Sequence, residues 1–186
     1  MDPFEFLIQL FAILAGLGIA ALVQGTSRLV EERHRVRFHW PFVAWIACLF
    51  VAHIASWFAL WGLRVHAEWT LAQALCLLAI PTLLYFSSNV VLPAFDGDGQ
   101  VDLESHYFRT IRYSQTGLVL ALAAGIIVSW TLTGEASSRS NAFRFGAAVL
   151  MLPGLFWLHP RLHQVQGVVV VGLLALLVST MAGTIG

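Results

Sequence analysis

Six long apolar runs separated by short polar ones organise this chain. Asp, Glu, Arg and Lys are absent from residues 6–27, 38–63, 69–95, 113–134, 145–160 and 162–186, together 138 positions. A bilayer core of roughly 30 Å is crossed by about 20 helical residues at about 1.5 Å each. Five of the runs reach that length. The remaining one, 145–160, is short, and the expectation is that it borrows Asn141 to Phe143 while Arg144 snorkels toward the headgroups. The runs are continuous rather than alternating, which excludes transmembrane β-strands. The pattern predicts an all-α, polytopic membrane protein: one domain over residues 1–186, a bundle of six transmembrane helices with short loops. The predicted spans are 6–27, 39–63, 69–93, 111–133, 142–158 and 163–184.

Composition agrees. The chain is 59% hydrophobic and 11% charged, with mean hydropathy +0.80, where an ordinary soluble domain carries about 25% charged residues. All twenty charges, ten Arg and ten acids, fall in the 48 residues outside the runs. That distribution excludes a soluble globule, a disordered chain and a nucleic-acid-binding domain. The acidic start, Met1-Asp2-Pro3-Phe4-Glu5, precedes an apolar run too long for a signal peptide and reads as a retained first span. Cys48 and Cys76 both lie inside spans, so neither a disulfide framework nor a CxxC metal site is expected.

Arginine placement sets the expected direction. The loops after spans 1, 3 and 5 carry Arg28, Arg33, Arg35, Arg37, Arg109, Arg112 and Arg161, whereas the opposite face has Arg64, Arg139 and Arg144. Both termini are therefore expected outside. Trp40, Trp61, Trp69, Trp130 and Trp157 fall near span ends, where amphipathic rings settle. The chain has no Lys, which excludes a retinal-type Schiff base. Arg-rich, Lys-free usage points to a GC-rich bacterial genome and so to a bacterial inner membrane.

Helices in lipid associate through close packing and interhelical hydrogen bonds. Gly16 and Ala20 in span 1, Ala121 and Gly125 in span 4, and Gly167 and Gly172 in span 6 are the expected close-approach positions. Pro81 in span 3 and Pro153-Gly154 in span 5 each remove a backbone bond and predict a local break. Broken helices do not fall at matching places in the two halves, so an inverted repeat is not supported.

Few residues offer chemistry. His53 lies within a few ångströms of mid-membrane, with Ser56 and Trp57 on or beside its face. An intramembrane ionisable group is a functional candidate, set against a neutral His that donates one interhelical hydrogen bond. On the predicted inner face Asp96, Asp98, Asp102, His106, Arg109, Arg112 and His163 form a candidate polar cluster. Pro160 suits a first helical position, so His159 and His163 need not share a face. Asp96-Gly97-Asp98-Gly99 matches only the middle of a calcium loop: the first ligand and the bidentate Glu are missing. Residues 102–112 read as a short amphipathic lead-in to span 4, and Glu31 and Arg35 as an i, i+4 pair after span 1. No P-loop, dinucleotide fingerprint, nucleophile elbow or HExxH occurs. Catalytic, cofactor and metal residues are therefore left unassigned.

The Gly-rich first span ending in an Arg-rich turn, Trp57-Phe58-Ala59-Leu60-Trp61, Leu83-Leu84-Tyr85 to Leu92-Pro93, and Asp102-Leu103-x-x-His106-Tyr107-Phe108 together resemble short six-span bacterial membrane proteins with no assigned activity. That resemblance implies origin and topology. Three functions stay open: a small transport or channel-like protein for a proton, neutral solute or apolar ligand, with His53 and Pro81 beside the pathway; an accessory or scaffold subunit of a membrane complex; and a lipid-directed enzyme at the inner face. Expected partners are membrane lipids, with a second copy or a membrane-complex subunit as further possibilities and no nucleic acid.

Overall fold

The computed structural model describes residues 3–64, 68–95, 99–134 and 138–182, with side chains throughout except at Pro3, Arg139 and residues 174–182. The described residues form an all-α bundle of six helices: α1 (Pro3–Glu31), α2 (Trp40–Trp61), α3 (Leu71–Val91), α4 (Leu103–Thr133), α5 (Arg139–Phe156) and α6 (Pro160–Ala182). Four of these, α1 to α4, are long and apolar enough to cross a membrane by length and composition. At 31 residues, α4 is about 46 Å long and exceeds a hydrocarbon core. The amphipathic lead-in and span 4 are thus one helix.

Local chemistry marks the helix ends. Thr70 and Gln73 form a reciprocal capping box at the start of α3, Asp102 Oδ1 accepts from the Glu104 N–H, and Ser138 accepts from the Asn141 N–H before α5. Each satisfies a donor the first turn cannot. Gly134, with φ 70°, closes α4 in the left-handed conformation, its N–H donating to the Trp130 carbonyl at 2.9 Å.

Helix adjacency is not sequential. α3 packs against both α1 and α4, α5 against α4, and α6 against both α2 and α5. Around this ring, glycines receive side chains from the neighbouring helix: Gly18 (α1) takes His53 (α2), Gly167 (α6) takes Trp40 (α2), Gly154 (α5) takes Gln166 (α6), Gly125 (α4) takes Arg144 (α5), and Gly117 (α4) takes Ser87 (α3). In lipid, where apolarity selects no partner, such notches supply the close fit. The expected Gly16–Ala20 seam is corrected by this arrangement: Gly16 has nothing near its missing side chain, and Gly18 holds the α1–α2 contact. Two apolar clusters fill the bundle, one around Phe42, Trp45, Leu49, Leu84 and Ile111, the other around Phe11, Leu60, Leu77 and Val128.

The loops after α1, α3 and α5 gather at one Arg-rich end. There β1 (Val36–Arg37) pairs in parallel with β2 (Val101–Asp102), lashing the α1–α2 loop to the lead-in of α4. Arg35 donates to the Gly99 carbonyl at 3.3 Å and Arg37 lies 3.7 Å from Asp102. The expected Glu31–Arg35 pair is replaced by Glu32–Arg35 at 2.8 Å, because the helix ends at Glu31 and a 3-10 turn follows. The Arg35 hydrogen bond holds the Glu32 carboxyl below the usual carboxylate range.

Arg144 also departs from expectation. It does not snorkel. Its Nη1 donates to Asn141 Oδ1 at 2.9 Å and to the Gly125 carbonyl at 3.4 Å, so the guanidinium turns inward onto α4.

Candidate functional site

On α4, Tyr107, Ser114 and Gln115 share the buried stripe of Leu103, Ile111 and Leu118. Their spacing of seven and eight residues is two helical turns, so polar groups stack along one face. The stripe meets His39 at the N-cap of α2, Trp45 from α2, Ser87 from α3 and His163 and Gln166 from α6. The result is a polar column in the Arg-rich half of the bundle.

At its mouth the column is aromatic and imidazole-rich. Tyr107 Oη lies 3.2 Å from His163 Nδ1. The His39 ring is centred 5.3 Å from that of Tyr107 and 6.0 Å from that of Phe108; Phe108 in turn stands edge-on to His163 at 5.3 Å. His163 is fully buried. Its Nε2 makes no hydrogen bond, although the Trp157 backbone carbonyl is near enough to interact with the ring. His39 Nε2 is likewise unpartnered. Burial pushes the His39 imidazole below its ordinary value, with Glu104 and Asp102 pulling weakly the other way.

Deeper in, Trp45 Nε1 donates to Ser114 Oγ at 2.8 Å, and Ser114 Oγ donates to the Ser87 carbonyl at 2.9 Å. Beside them Gln115 Nε2 is 3.5 Å from Gln166 Oε1, and Gln166 Nε2 donates to the Leu150 carbonyl at 3.0 Å. That carbonyl belongs to the turn preceding Pro153-Gly154, the stretch a proline weakens. Gly154 makes room for both amides. Gln115 is 1% exposed, and its Oε1 has no partner. Next to it lies a cavity of about 10 Å³ lined by Trp45, Tyr107, Gln115, Gln166 and Gly167 among others. That is close to the space one water needs, and the lining supplies the polar partners it requires.

Of the residues singled out from sequence, only His163 joins the buried column. His106 stands at its margin, with Nε2–H donating to the Val91 carbonyl at 2.9 Å and so capping α3. Arg109 reaches back to His106, and Arg112 donates to the Phe156 carbonyl at 3.1 Å, capping α5. Asp102 caps α4 and faces Arg37. Asp96 and Asp98 lie outside the described residues. Among the described residues, no three His, Cys, Asp or Glu side chains come together as a metal-holding group.

His53, Ser56, Trp57 and Pro81 lie away from the column's cavity. His53 is fully buried. Its Nδ1–H donates to the Leu49 carbonyl at 2.9 Å, and Nε2 points at Gly18 without a hydrogen bond. Ser56 bonds the His53 carbonyl. His53, Ile54 and Trp57 line, with Ala12, Ala15, Gly16 and Ile19, an open groove of about 340 Å³ along α1 and α2. Pro81 is buried within α3. Gln115, Gln166 and Ser114 carry no ionisable group, so they do not stand out among the titratable residues of the sequence. Their signal was available: uncharged polar side chains inside apolar runs, in register with Tyr107 and His163.

Comparison with protein-family models, curated proteins and solved structures finds no match. The chain is a multi-helix, membrane-associated protein with several apolar helices, and the functional reading rests on its own geometry.

Proposed function

We propose that this protein is a six-pass membrane protein of the bacterial inner membrane that passes a proton or a small neutral solute, with the polar column as its inner vestibule. Both termini lie outside and the Arg-rich end lies in the cytoplasm. The packing of α5 supports the crossing count: Arg144 meets Gly125 and Arg112 meets Phe156, so α5 runs antiparallel beside about 20 Å of α4. Arginine asymmetry supports the direction, and Lys-free usage supports the source.

The observation that carries the functional reading is the unpartnered carbonyl of buried Gln115 beside a one-water cavity. From Tyr107 to Gln115 is eight residues, about 12 Å of depth. Over that distance the column offers hydroxyl, imidazole and amide groups and no fixed charge. A metal cation finds no carboxylate there, whereas a proton can be handed along Tyr107, His163 and water. The test is flux in proteoliposomes. A proton or neutral-solute flux is expected, lost in Q115L and H163F variants that keep wild-type helicity. No flux for any of these, or flux unchanged in both variants, sinks the reading.

The groove along α1 and α2 favours a second reading, an accessory subunit whose partner lays a helix on Ala12, Gly16 and Ile19. A stoichiometric partner purified from native membrane, lost when Gly16 becomes Leu, distinguishes it.

A further inference from the structure

Arg144 is a cation held in the wall of the bundle rather than at its margin. It stands five residues into α5, about 7.5 Å along the axis from the helix start. The atom it meets on α4, the Gly125 carbonyl, lies eight residues, about 12 Å, from the end of that helix. The guanidinium lies against Gly125, where an added methyl group would sit 3.2 Å from Nε. Asn141 and Gly125 both bind Nη1. Nε and Nη2 have no acceptor among the described residues. The ion pairs found among those residues are Glu32–Arg35 and Asp102–Arg37, so nothing described neutralises this charge.

A half-buried guanidinium among apolar helices is costly without a counter-charge. Nε and Nη2 together present two parallel N–H bonds, the fork that fits two oxygens of one phosphate. The neighbours Phe143 and Phe145 are 47% and 65% exposed, so an anion arriving here crosses an apolar collar. Free phosphate would shed its hydration to do so, whereas a lipid phosphodiester is already tethered at that level.

We propose that Arg144 is the anchor of a phosphate-binding site on the α4–α5 seam, filled by the phosphodiester of a membrane lipid. The site lies at the end of the bundle opposite the polar column and does not depend on the transport reading. The experiment is native mass spectrometry of protein released from phosphatidylcholine nanodiscs, with parallel thermal melts in phosphate-free galactolipid nanodiscs. Wild type is expected to keep a phospholipid through activation, R144K to keep it less well, and R144Q to lose it with helicity unchanged. Equal retention in wild type and R144Q overturns the site. Inorganic phosphate that raises the galactolipid melting temperature of wild type but not R144Q, without lipid retention, overturns the lipid as source.

Discussion

His39 shows how one side chain ties the mouth of the column to pH. It sits just before α2, half-buried against Tyr107 and Phe108, and burial lowers its pKa while Glu104 and Asp102 oppose the shift. In the unfolded chain the imidazole returns to about 6.5. Below that pH the unfolded state therefore binds more protons than the folded one, and stability falls with acidification until the folded-state pKa is passed. His39 thus contributes stability that is complete above about pH 7 and is lost as the pH drops. Melting temperatures of wild type and H39F, measured from pH 8 to pH 5, are expected to diverge: wild type falls more steeply below about 6.5, the ordinary imidazole pKa. Parallel curves would remove His39 from this role. Its place beside His163 could not be read from spacing, because His39 precedes α2, His163 lies on α6, and the α2–α6 packing brings them together.

At the level of elements, α1 is docked to α2 by the His53 ring seated over Gly18. From sequence, His53 is either an ionisable functional group or a neutral imidazole that donates one interhelical hydrogen bond. The fold gives it a steric role as well: Nδ1 is satisfied within its own helix, and the rest of the ring fills the notch that a missing Cβ leaves. A methyl group at Gly18 has no space, and overpacking of this kind costs about 1–3 kcal/mol. G18A is expected to lower the unfolding midpoint in a denaturing-detergent titration, and H53A in the same chain to restore much of it. The double-mutant cycle measures the coupling; additive effects would mean that the ring and the notch are independent. The caps at Thr70 and Ser138 appear only in the structure, whereas helix identity and order were legible, since apolar run length acts locally. Which glycine faces which side chain was not, because a repeat of small residues fixes a face only once the partner helix is known. Gly16 and Gly18 differ by two positions and lie on different sides of α1.

For the whole molecule, the open quantity is how many of the six helices cross the bilayer. By length and composition α1 to α4 qualify, while α5 carries Arg139 and Arg144 in its first half and has only 18 residues. Packing speaks where hydropathy is weak. His163, three residues past the start of α6, touches Tyr107 at the Arg-rich end, and the α5 terminus at Phe156 is capped by Arg112 from the same end. The other end of α5 lies beside the last third of α4. The two contacts lie 13 residues apart on α4, about 20 Å, and the six-pass proposal has α5 follow α4 through that depth. With Cys48 and Cys76 replaced, single cysteines at Ser140 and His159 are therefore expected to react with an impermeant maleimide from opposite sides of sealed vesicles, Ser140 on the side of an N-terminal tag. Reaction of both from one side would leave four crossings, place the α5–α6 turn on the same surface as the termini, and dismantle the vestibule, since His163 and Gln166 would no longer stand at the depth of Tyr107 and Gln115.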